Sequence, residues 1–317
     1  MSTKTKIITV SFSPAWDITC RGRNLDWGSH EYIDQQTIRP AGKALNVSKA
    51  LAWMGQRSTA TGLWAAQDYR QMQKAVHSAW PLIGVKMTAA AGHTRQNVTV
   101  VDTANDRDMH LRNKSTLATR SSLRRLKADL QPRLDKNSLC VFAGAMPDGE
   151  LLGDVVGLVK GCEHGGAKIL VDTSGPALRE LVATGCVWLI KPNVNELREL
   201  LGEQIADNPA GLAGAARELL DKVEIVLVSR GKKGALLVTA HGAWRGQCRG
   251  RRRIASTVGC GDYLLAGFLR ALKEGTRPDL ALATGLKAAT ARAWGWHEAT
   301  SWSAARRRTK VELSRVS

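Results

Sequence analysis

Apolar and polar positions along the chain alternate between two periods, and the changes of period mark the elements. Residues 6–12 form an Ile- and Val-rich run that reads as a buried strand. Ser13-Pro14-Ala15-Trp16-Asp17 turns out of it, and residues 18–39 carry short alternating pieces that suit exposed antiparallel strands. A helix is expected from Lys43 through Met54, with Leu45, Val47, Leu51, Trp53 and Met54 on its apolar side and Gly55 after its end. Residues 58–63 read as strand, 64–79 as helix and 83–87 as extended chain. Residues 93–112 alternate around the turn Thr103-Ala104-Asn105-Asp106, the pattern of a β-hairpin. Two separated antiparallel segments, about 15–39 and 93–112, would then pair into one small sheet and act as a lid.

From Ser122 onward the pattern becomes αβαβ, with strands expected at 139–143, 168–171, 188–190, 224–228 and 234–239. Strands alternating with helices imply a mostly parallel sheet covered on both faces, with ligands at the carboxyl ends of the strands. The expected fold class is therefore α/β. A further helix carries Leu264, Leu265, Phe268, Leu269 and Leu272 on one stripe and stops near Gly275. The tail from Ala299 is polar and basic, and loose order is expected there.

The turn before that helix is the chemical centre of the chain. Gly259-Cys260-Gly261-Asp262 stands where a turn opens into a helix N-terminus. The first backbone N–H groups there have no intrahelical partner and the dipole is positive, so the turn suits an anion. An Asp fixed beside it could take a proton from a hydroxyl. The plain alternative is that Asp262 caps the helix.

Composition narrows the partners. Of 317 residues, 44% are hydrophobic, enough for a sizeable core, and Lys plus Arg outnumber Asp plus Glu by 46 to 28. The balance of +18 suits anionic partners, which include nucleotides, phosphorylated metabolites and nucleic acid. Two basic runs, Arg249 with Arg251-Arg252-Arg253 and Arg306-Arg307-Arg308, have no aromatic residues interleaved, so a solvated basic surface is expected and specific nucleic-acid binding is not. No stretch of about 18 apolar residues predicts a membrane span. The polar start, residues 1–6, runs straight into a strand and does not resemble a signal peptide. Six scattered Cys lack metal spacing and suit reduced thiols in a cytoplasm. Neither a Gly-x-x-x-x-Gly-Lys-Ser/Thr loop nor a Gly-x-Ser-x-Gly elbow occurs, which excludes a P-loop kinase and offers no nucleophilic serine.

Residues 256–269 resemble the second signature of the ribokinase-like (PfkB) sugar kinases, Thr-x-Gly-Ala-Gly-Asp before an apolar helix. Cys260 stands where Ala is usual, and Tyr263 where Ser is common, a bulkier side chain that could narrow the site. Pro40-Ala41-Gly42-Lys43-Ala44-Leu45-Asn46-Val47 resembles the first signature, with Ala41 and Ala44 in place of glycines. Pro14-Ala15-Trp16-Asp17 resembles the start of the 1-phosphofructokinase branch, with Ser13 where Asn is usual. Lys191-Pro192-Asn193 with Glu196-Leu197 is similar to the family's Asn-x-x-Glu motif, and Ser229-x-Gly231-x-x-Gly234 to its nucleotide loop.

The resemblance implies one kinase domain over 1–317, a three-layer sandwich with a small antiparallel β lid. It implies that Asp262 is the base and that Gly259, Cys260 and Gly261 form the anion hole. Asp17, Gly42, Lys43, Asn46, Arg95 and Asn97 would hold the sugar phosphate. Arg95 and Asn97 lie two apart on a lid strand and should face the same side. Lys191, Ser229, Gly231, Gly234 and Thr257 would contact ATP. Asn193 and Glu196 would influence Mg²⁺ through water, although an ordinary helix start explains the same residues. The activity implied is phosphorylation of a sugar phosphate, fructose 1-phosphate first. Tagatose 6-phosphate, or a degenerate regulator that binds a phosphosugar or nucleic acid, stand as alternatives, and a homodimer through the lid is allowed.

Overall fold

The structure is a computed structural model that describes residues 5–250 and 252–316. Residues 1–4 and Arg251, which belong to the polar start and the first basic run, lie outside the described residues.

In chain order the first elements are β1 (Lys6–Ser11), β2 (Ala15–Gly22), β3 (Gln35–Ala41), α1 (Lys43–Trp53), β4 (Ser58–Ala65), α2 (Tyr69–Ala79), β5 (Ile83–Val85), β6 (Thr88–Ala90), β7 (Arg95–Asp102) and β8 (Arg107–Arg112). Next come α3 (Arg120–Leu130), β9 (Ser138–Ala143), α4 (Leu152–His164), β10 (Lys168–Asp172), α5 (Gly175–Ala183), β11 (Val187–Ile190), α6 (Val194–Leu201), α7 (Pro209–Arg217) and β12 (Ile225–Ser229). The chain continues with β13 (Ala235–Thr239), β14 (Gly242–Cys248), α8 (Cys260–Lys273), α9 (Pro278–Ala293), α10 (Trp296–Ala299), α11 (Trp302–Arg308) and β15 (Val311–Val316).

The main sheet runs β15-β14-β13-β12-β11-β10-β9-β1-β4-β5, with β6 also on β4. From β5 to β12 the pairings are parallel; β13 and β14 extend the edge as antiparallel hairpins, and β15 joins β14 antiparallel after α8–α11. Alternate strand residues feed two cores, as a sheet covered on both faces requires. Ile8, Phe142, Ile169 and Val226 pack against α3, α4, α5 and α7, while Ile7, Val141, Leu170 and Leu227 pack against α1, α8 and α9. This is the expected α/β three-layer sandwich.

Helices α8 and α9 approach closely because glycines face each other. A Cβ on Gly285 would lie 2.6 Å from the Leu264 carbonyl oxygen, and one on Gly267 would lie 2.8 Å from the Thr284 carbonyl oxygen. The contact fixes the height of α8, and with it the turn at its N-terminus.

The small sheet has the order β3-β2-β7-β8. Its two hairpins are antiparallel, as expected, but they join through a parallel β2–β7 pairing. Trp16 roots the sheet in the main body. It is buried, stands edge-on to Trp64 at 5.4 Å and donates from Nε1 to Asp68 Oδ2 at 2.6 Å.

Two expectations are corrected. Residues 64 and 65 finish β4, and the helix begins only at Tyr69, because the fully buried Trp64 is held in the sheet against Trp16. The tail is ordered through Val316. Buried Trp302 and Ala305 anchor α11, and β15 pairs with β14 from Val311↔Cys248 to Val316↔Ala243. Its Val311-Glu312-Leu313 alternation is that of an edge strand with one face covered, a short signal inside a basic stretch.

Candidate active site

The site lies at the carboxyl ends of the parallel strands, under the small sheet, in a cavity of about 510 Å³. Asp262 is the third residue of α8, whose N-cap is Gly259 in the left-handed region at φ 78°. The N–H groups of Cys260, Gly261 and Asp262 occupy the first turn, where no intrahelical carbonyl can pair them. The capping alternative fails: Asp262 makes no cap hydrogen bond, and its Oδ2 instead accepts from Asn46 Nδ2 on α1 at 3.0 Å. Burial, with Asp172 adding, pushes the Asp262 carboxyl up to about 6, against the opposing pull of Asn46, Lys191 and Lys43. A carboxylate near that value is ionised at neutral pH yet basic enough to take a proton.

Behind it stands a Lys–Asp–Lys bridge. Asp172 ends β10, Lys191 follows β11 and Lys43 opens α1. Lys191 Nζ lies 3.2 Å and Lys43 Nζ 3.3 Å from Asp172 Oδ1. Asp172 and Lys191 are buried, whereas the Lys43 side chain is 43% exposed and faces the cavity. Asp172 raises the Lys43 amine above its ordinary range, Asp262 and Glu196 assisting and burial opposing. A Cβ on Gly261 would sit 3.3 Å from Lys191 Nζ, so that ammonium lies against the glycine turn. Asp172 was not among the sequence candidates. Its position at the end of a strand inside the αβ repeat was the available signal.

The small sheet supplies the other wall. Arg95 Nη1 donates to Asn97 Oδ1 at 2.9 Å, and Asn97 Nδ2 donates to Asp17 Oδ1 at 2.7 Å. Arg95 Nε also donates to the Ser13 carbonyl at 3.2 Å. Arg95 and Asn97 therefore share a side, as the alternation predicts. The register sets Asn97 between Asp17 and Arg112, and Arg112 and His110 line the same cavity, neither singled out beforehand. Gly42, at φ 123° before α1, completes this corner next to Pro14. Ala41 and Ala44 are buried in β3 and α1 and need no left-handed backbone, so their replacement of glycine costs the turn nothing.

Asn193 and Glu196 open α6 as a capping box. Asn193 Oδ1 accepts from the Asn195 and Glu196 N–H groups at 2.8 and 3.0 Å, and Glu196 Oε2 accepts from the Asn193 N–H at 2.8 Å. The helix-start reading thus accounts for both, but it leaves Glu196 Oε1 free, and both residues line the cavity. Among the described residues no group of three His, Cys, Asp or Glu could hold a metal. One free carboxylate oxygen fits Mg²⁺ that keeps its waters and takes ligands from a bound nucleotide.

Of the expected nucleotide contacts, Lys191 and Ser229 line the cavity. Thr257 is exposed beside it, and Gly231 begins a short 3₁₀ turn outside its lining. Gly234 is also outside the lining. At φ 85°, a Cβ there would lie 2.0 Å from the Gly246 carbonyl oxygen, so β14 packing explains the glycine. Cys260 turns its thiol to the Ser256 carbonyl at 3.5 Å, while Gly259 and Gly261 face the cavity. Tyr263 does not narrow the site. Its buried ring packs on Trp53 and His297 at 5.9 and 5.4 Å, behind the turn. Arg292, from the end of α9, donates to the Val258 carbonyl at 3.0 Å and steadies that turn.

Comparison with known proteins agrees with this geometry. The pfkB family carbohydrate kinase model matches residues 15–293. The 1-phosphofructokinase of Vibrio cholerae is 28% identical over 266 residues, covering 83% of this chain and 81% of that one. The 1-phosphofructokinase of Rhodobacter capsulatus is 32% identical over 278 residues, covering 85% and 84%. The tetrameric inhibited form of Escherichia coli phosphofructokinase-2 superposes with a TM-score of 0.85 over 96% of this chain and 97% of that one, and its 23% identity speaks for the fold. With a glycine turn, an acidic residue behind it and a small β-sheet over the cavity all in place, the chain belongs to the pfkB family of carbohydrate kinases.

Proposed function

We propose that this protein transfers the γ-phosphoryl group of ATP to a sugar phosphate, with fructose 1-phosphate as the first candidate acceptor. The observation that carries the reading is Asp262, buried beside the unpaired N–H groups of the α8 N-terminus and held by Asn46. Asp262 accepts the proton of the acceptor hydroxyl. The oxygen forms its bond to the γ-phosphorus as the bond to the β-phosphate oxygen breaks, and ADP leaves. The first-turn N–H groups and Lys191 lie where negative charge gathers on the phosphoryl oxygens. Mg²⁺ bound with ATP would neutralise phosphate charge, with Glu196 and Asn193 as its protein neighbours, largely through water. Asp17 and Asn46 suit sugar hydroxyls. Arg95 and Lys43 suit the substrate's own phosphate, since a guanidinium offers a planar fork to phosphate oxygens.

The relatives named 1-phosphofructokinase favour fructose 1-phosphate. Others named ATP-dependent 6-phosphofructokinase isozyme 2, such as that of Mycobacterium tuberculosis at 27% identity, make fructose 6-phosphate the main competitor. Ile38 and Leu111 are exposed on the small sheet, which suits pairing of two copies there. A coupled ADP-release assay over both fructose phosphates, tagatose 6-phosphate and free fructose tests the assignment. Asp262→Asn should lower turnover by about 10²–10⁴-fold while ATP still binds. Near-parent turnover in that variant, or a preference for free fructose in the parent, overturns the reading.

A further inference from the structure

We propose that a second cavity, distinct from the active-site cavity, binds a small phosphorylated anion. It holds about 500 Å³ and opens on the α7 side of the main sheet, where β14 and β15 run past the β12–β13 turn. Arg230 and Lys233 occupy variable positions of the Ser229-x-Gly231-x-x-Gly234 loop, and the proposed chemistry gives neither a role.

Its lining is cationic. Arg230, Lys233 and Arg245 face it, against two carboxylates: Glu312 in the lining, ion-paired with Arg249, and Asp207 just behind it, ion-paired with both Arg230 and Lys233. The Arg230 side chain is only 7% exposed, so the cavity wall includes a buried guanidinium. Asp207 takes Arg230 Nε and Nη2, each at 3.1 Å, which leaves Nη1 for a ligand. Arg245 Nε is held by Ser314 Oγ at 2.7 Å, which aims the guanidinium and leaves both terminal nitrogens. Two oriented guanidiniums around a cavity of this size, with the Asp207-paired Lys233 ammonium beside them, match the oxygens of a phosphate or diphosphate, where charge-assisted, forked hydrogen bonds are strongest. Pro209, the first residue of α7, also lines the cavity and brings the positive end of that helix to it.

The cavity shares a wall with the active site. Gln247 Nε2 donates to the Lys232 carbonyl at 3.2 Å and holds the back of the turn that carries Arg230 and Lys233. Ser229, immediately before that turn, lines the first cavity.

Isothermal titration of the full chain with pyrophosphate tests the site without any appeal to turnover. The parent should show two classes of binding, one lost in Lys43→Gln and the other weakened about tenfold in Arg245→Gln. Arg306→Gln, an exposed change of the same charge on α11, should weaken neither by more than about twofold. If Arg245→Gln does not fold, Lys233→Gln reads the same cavity. Inorganic phosphate as a second titrant separates the sources: equal affinity points to a monophosphate ester, and tighter pyrophosphate to a nucleotide or other diphosphate. The proposal falls if Lys43→Gln removes all binding, if Arg245→Gln and Arg306→Gln weaken it equally, or if the parent binds nothing. The binding class assigned to Arg245 is independent of the kinase assignment, so either can fail alone.

Discussion

Replacing Asp172 by Asn keeps the shape of the side chain and removes the charge between two ammonium groups. Lys191 is then left buried at 5% exposure without its counter-charge. Breaking a buried ion pair costs about 3–5 kcal/mol. The contact to Lys43 adds little, because that side chain is 43% exposed and water screens it. At roughly 2 °C per kcal/mol for a chain of this size, the melting temperature should fall by about 6–10 °C. A second consequence concerns acidity. Asp172 is the main charge that lifts Asp262, after burial. Its loss lets Lys191 and Lys43 draw the Asp262 carboxyl downward from about 6. Only the ionised carboxylate can accept a proton, so kcat/KM of the parent should rise with pH through about 6, and that acid limb should move to lower pH in Asp172→Asn. The parent has a matching linkage: folding raises this carboxyl from 3.8 to about 6, so the folded state binds the proton more tightly. Its contribution to stability therefore declines as pH rises from about 4 to about 6 and is flat above. Thermal unfolding followed by circular dichroism, with a pH–rate series from a coupled assay, gives both readouts. A melting temperature within about 2 °C of the parent, or an acid limb that stays or moves upward, refutes the role given to Asp172.

Arg95→Ala should raise KM for the sugar phosphate by the equivalent of about 2–5 kcal/mol, with KM for ATP little changed, because it removes a cation and frees the Asn97–Asp17 pair; an unchanged sugar-phosphate KM in steady-state kinetics argues against a phosphate contact there. Gly285→Ala forces a methyl to 2.6 Å from the Leu264 carbonyl oxygen and should destabilise by about 1–3 kcal/mol, read by urea unfolding; parent-like stability would show that the α8–α9 contact can open freely. DNA and RNA should bind weakly and with a steep salt dependence, as expected of a +18 balance. Sequence-preferring binding at physiological salt, measured by fluorescence anisotropy, would reverse that view.

Local chemistry was legible in the sequence, and long-range chemistry was not. The Gly259–Asp262 turn announces itself because glycine, a small residue and an acid precede an apolar helix stripe. That Arg95 and Asn97 share a side follows from strand alternation, while their choice as site residues came from the family resemblance. Asp172 did not stand out, since its role arises only when β10 and β11 and the start of α1 converge at one end of the sheet. Arg252 shows the same limit: no aromatic residue neighbours it in sequence, yet the fold sets it 5.8 and 5.1 Å from the rings of Trp294 and Trp296. Strand β15 was hidden by its composition, because an edge strand with one covered face needs few apolar residues.

The small sheet is tied to the main body by four chain crossings: into β2, out of β3, into β7 and out of β8. A flap on one tether could swing in many directions, but a leaf held along one edge by four can only rotate about that edge. Arg95 and Arg112 sit at two of the crossings, Lys43 just beyond a third and Asp17 just inside the fourth. We propose that the sheet acts as a lever whose pivot carries these cavity-side groups. Such a rotation would sweep the distant turns through long arcs while those groups shift little, and would open the cavity without dismantling the Arg95–Asn97–Asp17 chain of hydrogen bonds.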